Sequence, residues 1–98
     1  MAHIDYFFSP ISPFAYLAGT RLEEIAGRHD ATVAYKPFDI VSLFPRTGGT
    51  PPAERHESRK AYRLQDLARQ AARRGMPMNL QPAHFPTNAA PAAYAVIA

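Results

Sequence analysis

Residues 4–17 read IDYFFSPISPFAYL. An apolar, aromatic run over 4–8 stops at Ser9-Pro10, and a second Ser-Pro pair, Ser12-Pro13, opens a segment with helical spacing. Serine is a favoured N-cap and proline a favoured first helical residue. Ser12 is therefore expected where a strand ends and a helix begins. Such a junction presents unpaired backbone N–H groups and the positive end of the helix dipole, a place to hold an anion, of which a thiolate is one.

Working outward, residues 3–8 are aromatic and β-branched, with Asp5 among them, and read as a strand buried on both faces, as in the interior of a parallel sheet. Residues 13–29 read as one helix: Phe14, Leu17, Ala18, Leu22 and Ile25 recur at steps of three and four, with Arg21, Glu23, Glu24 and Arg28 mostly on the other side. Residues 31–38 (ATVAYKPF) read as a second strand ended by Pro37, which has no N–H to give a ladder. Strand, helix and strand make a βαβ unit with parallel strands, so the fold class is α/β.

Residues 39–52 carry Pro45, Gly48, Gly49, Pro51 and Pro52 and read as a loop, with one helical turn at 41–44. Residues 53–75 read as a long helix with a narrow stripe of Tyr62, Leu64, Leu67, Ala68 and Ala71; Gly75 fits as its cap and Pro77 as its stop. A Pro-rich loop over 76–86 follows, and Asn88 is placed to cap a last helix over 89–98 that has no charge. An all-apolar helix calls for burial on most sides, and two parallel strands do not make a stable sheet. The chain is thus expected to be a piece of something longer.

Composition narrows the function classes. The 98 residues are 47% apolar, enough for a core, and contain no Cys, which excludes disulfides, thiol nucleophiles and thiolate metal sites. The four histidines (His3, His29, His56, His84) are scattered, with no metal-ligand spacing, and no phosphate loop of recognised form is present. No apolar run approaches the roughly 20 residues of a membrane span, and the N-terminus lacks the pattern of a signal peptide, so a cytoplasmic protein with no membrane partner is expected. The net charge of +3 is uneven: residues 53–75 hold seven basic and three acidic side chains. A basic helix of this kind is a solvated face, or meets a small anion or nucleic acid.

With the βαβ start, the Ser-Pro-Phe-Ala-Tyr-Leu motif at residues 12–17 and a long helix after a Gly/Pro loop, the chain resembles the 2-hydroxychromene-2-carboxylate isomerases and the related kappa-class glutathione transferases. These form the glutathione-using branch of the DsbA-like thioredoxin superfamily. The resemblance runs over essentially the whole chain and corresponds to the first half of the family's longer one. It implies an opening thioredoxin-like βαβ over residues 1–40, a linking loop over 41–52 and the first part of an inserted helical domain over 53–98.

Disulfide oxidoreductases of that superfamily carry Cys-x-x-Cys where this chain has Ser12, Pro13, Phe14 and Ala15. Without sulfur at either redox position, thiol–disulfide exchange is excluded. The resemblance implies that the Ser12 hydroxyl hydrogen-bonds the sulfur of bound glutathione, with Pro13 and Phe14 beside it. A hydroxyl donor favours thiolate over thiol. The stretch TGGTPP at residues 47–52 resembles the family's Gly-Asn-x-Pro-Pro loop, which helps position glutathione. Gly49 stands where the family often has Asn, which leaves Thr50 and the backbone to serve. Arg59, three residues before Tyr62, stands where the family often has Lys, and an arginine can grip a carboxylate in two-pronged fashion.

The activity so implied is a glutathione-dependent isomerisation of 2-hydroxychromene-2-carboxylate or a similar aromatic carboxylate, by thiolate addition, bond rotation and elimination, in a family that tends to dimerise. Two other readings stand beside it. A kappa-type transferase would leave glutathione on its product. A non-catalytic module would bind nucleic acid or protein through the basic helix, in a salt-dependent way; the lack of aromatics among its arginines counts against single-strand binding.

Overall fold

The computed structural model describes residues 2–98. Strands β1 (His3–Phe8) and β2 (Thr32–Pro37) pair in parallel, in register from His3 opposite Thr32 to Phe8 opposite Pro37. The strand expected to be buried on both faces is covered on only one. Ile4, Tyr6 and Phe8 are half-buried, while His3, Asp5 and Phe7 are exposed, the period-two alternation of a half-buried strand. On the covered side Tyr6 and Phe8 stack at 5.2 Å between ring centroids, and Tyr35 of β2 meets them edge-on at 6.1 and 6.5 Å. Such offset and edge-on pairs are the favoured aromatic geometries.

The other face is polar for a local reason. Lys36 Nζ lies 3.2 Å and His3 Nε2 3.0 Å from Asp5 Oδ1, and His3 Nδ1 lies 2.7 Å from Thr32 Oγ1. The Lys36 hydrogen bond first, then that of His3, hold the Asp5 carboxyl below the usual carboxylate range. A charged cluster of this kind is at home in water.

The segment between the strands is two helices where one was expected. The first, α1 (Pro13–Leu17), ends at a turn in which Gly19 takes φ +57°, and α2 (Arg21–Arg28) restarts after Thr20. The left-handed conformation at Gly19 breaks the helix and is cheap for glycine alone. Leu17 and Ala26, one from each helix, are buried. Tyr35 donates a 2.6 Å hydrogen bond to Glu23 Oε1 and so ties α2 to β2.

After β2 the chain enters α3 (Ile40–Thr47), where a loop with a single turn was expected. Asp39 caps it by accepting from the Val41 and Ser42 N–H groups at 3.2 and 3.4 Å, and Gly48 ends it at φ +76°. Pro45 thus lies inside a helix here, and Gly48 bounds it. A short 3-10 turn (Pro52–Glu54) precedes α4 (Glu57–Arg74), which begins later than expected because Arg55 is extended and His56 acts as N-cap, its ring nitrogen accepting from the Ser58 N–H. Gly75 caps its end at φ +64°, as expected. On α4, Leu67 and Ala71 of the expected stripe are buried, whereas Tyr62 is 60% exposed.

The last helix, α5 (Ala90–Ile97), has Ala89 at its N-cap where Asn88 was expected; Asn88 lies one residue earlier, its Oδ1 accepting from the Ala90 N–H at 3.1 Å. It packs on β2. The chain divides into two compact units, the stretch up to Phe38 with Thr87–Ala98, and Asp39–Pro86. Residues 87–98 therefore group with the βαβ elements, where the sequence reading placed them in the helical insertion, because α5 packs on β2; Tyr94, Val96 and Ile97 nonetheless stay exposed, against the burial on most sides expected of this all-apolar helix. Among the described residues no helix is long and apolar enough to cross a membrane.

Candidate functional site

The first group of candidate residues lies at the β1–α1 junction. Ser9 and Ser12 close a turn in which the Ser12 N–H donates to the Ser9 carbonyl at 3.1 Å. Ser12 is extended (φ −78°, ψ 121°), and its Oγ accepts from the Ala15 N–H at 3.2 Å. It is the N-cap expected from the Ser-Pro pair, with Pro13 at the first helical position. A hydroxyl that accepts one bond keeps its O–H as a donor. The Ser12 side chain, half-buried at the mouth of this turn, can therefore offer that hydrogen to an acceptor while still capping α1. Phe14 is 44% exposed, an aromatic beside the cap with surface to offer a ligand.

Ser9 is the residue that sequence reading passed over. It is 5% exposed, and its Oγ has no hydrogen-bond partner. A buried orphan hydroxyl is uncommon and costs free energy. The only signal for it in the sequence is its place in the first Ser-Pro pair, which read as a strand stop.

The second group lies in Asp39–Pro86. Gly49 and Thr50 are exposed in the loop after α3, and Arg59 is exposed on the first turns of α4. The identity of Gly49 has a steric reason: a Cβ there would stand 2.5 Å from Phe44 Cδ1. An Asn at this position would have to displace that ring, so the absent side-chain contact is built into this loop. The arginine that meets the loop is Arg55, four residues before Arg59. Its Nε donates to the Thr50 carbonyl at 2.9 Å, and its guanidinium lies 6.0 Å from the centre of the Phe44 ring. Arg55 was missed because the loop-to-helix connection has no period from which to read which side chains turn back. Among the described residues no three His, Cys, Asp or Glu side chains gather as a metal site would require.

A parallel βαβ start with a Ser-Pro cap at its first helix fits the thioredoxin-like class. Residues 3–98 match the DSBA-like thioredoxin domain, and the chain belongs to that family. It is 36% identical over 83 residues to a 2-hydroxychromene-2-carboxylate isomerase of Sphingobium xenophagum, covering 84% of this chain and 42% of that one. It is 33% identical over 76 residues to a protein of the same name from Pseudomonas putida, covering 76% and 37%. A solved structure of a 2-hydroxychromene-2-carboxylate isomerase superposes with a TM-score of 0.66 at 28% identity, over 96% of this chain and 52% of that one. The resemblance read from Ser12 to Leu17 is thus borne out, and this chain spans about half or less of the relatives it matches.

Proposed function

We propose that the protein is a glutathione-dependent isomerase acting on 2-hydroxychromene-2-carboxylate or a closely similar aromatic carboxylate. The observation that carries the reading is Ser12: in a DSBA-like chain it caps α1 through an accepted bond and retains a donor, at the position where the resemblance puts a redox cysteine. The similarity to two proteins named for this reaction supports it.

The donor set suits glutathione. A half-buried hydroxyl can stabilise a sulfur anion, and no cysteine is present to form a mixed disulfide with it. Glutathione, when bound, supplies a thiolate that adds to the substrate and leaves again, and is not consumed. Ser12 Oγ–H holds the negative charge by hydrogen bonding, which lowers the free energy of thiolate relative to thiol. Pro13 fixes the backbone at the first helical position and so the direction of the Ser12 side chain. Phe14 offers an apolar wall to an aromatic substrate.

The test is a thermal-shift titration with glutathione on the protein and its Ser12→Ala variant. A ligand at about 100 times its dissociation constant adds roughly 2.7 kcal/mol to stability. A shift in the wild type that weakens in the variant is expected, together with product of unchanged mass when the chromene carboxylate is supplied. No shift at millimolar glutathione would remove the cofactor, and a product heavier by one glutathione would make the activity a transferase.

A further inference from the structure

Away from the Ser12 turn, the water-facing side of β1 and β2 carries a hydroxyl, an imidazole and a carboxylate in series. Thr32 Oγ1 lies 2.7 Å from His3 Nδ1, and His3 Nε2 lies 3.0 Å from Asp5 Oδ1. The parallel register builds this line: His3 stands opposite Thr32, and Asp5, two residues on, shares the face of His3. Lys36 Nζ, 3.2 Å from the same Asp5 oxygen, and then His3 hold that carboxyl in its ionised form. An ionised carboxylate only accepts, so Nε2 carries the ring hydrogen, and in the neutral imidazole Nδ1 is the acceptor. The Thr32 hydroxyl therefore donates to His3 Nδ1.

A nucleophile and a base within hydrogen-bond reach, with the base oriented by a third group, is the arrangement that makes a weak hydroxyl reactive. All three side chains are exposed, so a small reagent reaches them from water. A second histidine–hydroxyl pair in the chain lacks this order. His56 Nδ1 lies 2.8 Å from Ser58 Oγ, but it also accepts from the Ser58 N–H at 3.1 Å as the cap of α4, and among the described residues no carboxylate is bonded to its ring. The Thr32 N–H is bonded to the Ala2 carbonyl at 3.0 Å, so it is not offered to the negative oxygen that forms on an attacked carbonyl. The leaving group must then depart without that help, as a phenolate does and an amine does not.

We propose that Thr32 is a self-acylation site, which takes the acyl group of a small activated ester with His3 as its base. Thr32 Oγ1 attacks the acyl carbon while His3 Nδ1 takes the hydroxyl proton. The Oγ1–C bond forms, the bond from carbon to the leaving oxygen breaks with its electron pair, and the proton passes from His3 to the departing phenolate or to water. Asp5 is a positioning residue: it holds Nε2–H and faces the positive charge that forms on the ring. His3 stands at the start of β1 and Ser12 beyond its end, and the proposal does not rest on glutathione binding.

The experiment treats the protein and its Thr32→Val, Thr32→Ser, His3→Gln and Asp5→Asn variants with p-nitrophenyl acetate. Release of p-nitrophenolate is followed by absorbance, and the labelled residue is located by tandem mass spectrometry. One acetyl group on Thr32 is expected, lost in Thr32→Val and kept at that position in Thr32→Ser. His3→Gln should slow the labelling about a hundredfold, the lower end of what a positioned base contributes. Asp5→Asn should slow it by a similar factor, because an amide that donates to Nε2 leaves the ring hydrogen on Nδ1; nitrogen-15 shifts of the His3 ring then show the hydrogen moved. Should Thr32→Val fail to fold by circular dichroism, His3→Gln and Thr32→Ser decide the matter. Acetyl on Lys36, Ser58 or the N-terminal amine with Thr32 unlabelled overturns the site, as does an unchanged labelling rate in His3→Gln. Unmoved ring shifts in Asp5→Asn overturn the role given to Asp5.

Discussion

Replacing Ser12 separates two roles that one oxygen combines. Ser12→Ala removes the acceptor of the Ala15 N–H, a bond of 3.2 Å in the extended N-cap conformation. Removing a serine cap costs about 1 kcal/mol, which moves the melting temperature of a domain this size by roughly 4–8 °C. Ser12→Asp keeps the cap, since a carboxylate oxygen accepts the same N–H and suits the first turn of a helix. It removes the hydroxyl hydrogen and sets a negative charge where the sulfur anion is to lie. A hydrogen bond to a charged group contributes roughly 1.5–3 kcal/mol, so glutathione affinity and turnover should fall by at least about tenfold in both variants. The assay pairs circular-dichroism melting with glutathione calorimetry. The expected pattern is a lowered melting temperature in Ser12→Ala alone and weakened glutathione binding in both. Wild-type affinity in Ser12→Asp would refute the hydroxyl's role, and an unmoved melting temperature in Ser12→Ala would refute the cap.

The remaining predictions concern packing and pH. Leu67, 3% exposed on α4, should cost about 2–5 kcal/mol on truncation in Leu67→Ala, measured as a shifted urea midpoint; a shift under about 1 kcal/mol would show that α4 is not anchored there. Gly49→Asn should displace Phe44, whose Cδ1 would lie 2.5 Å from the new Cβ, and destabilise by about 1–3 kcal/mol; a neutral result would show that the ring swings aside freely. The Glu23–Tyr35 bond gives a two-sided pH dependence. Tyr35 lowers the Glu23 pKa from 4.5, so this contribution is present above that value and is lost as pH falls through the depressed one. Glu23 raises the Tyr35 pKa from 10.0, so the contribution is present below 10 and is lost as pH rises through the raised one. Tyr35→Phe should flatten both limbs of the stability–pH curve, and unchanged limbs would assign them to other groups.

Much of this protein is set by short-range chemistry and was legible without coordinates. Ser12 and Pro13 write a helix start, Gly75 a helix end and Pro37 a strand end, because each depends on a side chain acting on its own backbone. The Ser-Pro-Phe-Ala-Tyr-Leu motif carried the family for the same reason: it is a local device at a fixed junction. Breaks were less legible. Gly19 splits one amphipathic pattern into α1 and α2 through its positive φ, and nothing in the periodicity of Leu17, Leu22 and Ile25 requires it. The cluster of Pro45, Gly48 and Gly49 read as a loop, but the Asp39 cap outweighed Pro45 and made α3.

Only tertiary structure decided what depends on meetings between distant residues. The face of β1 that stays in water follows from Lys36 and Thr32 lying across from Phe7 and His3 in the parallel register. The grouping of α5 with the strands follows from its contact with β2, across about fifty intervening residues. The meeting of Arg55 with the Thr50 loop follows from packing that brings its guanidinium back onto a carbonyl and a ring. Sequence determines which residues can cap, turn or carry charge, because those properties act within a few bonds. Which of them come within hydrogen-bond distance is set by packing, which acts through space.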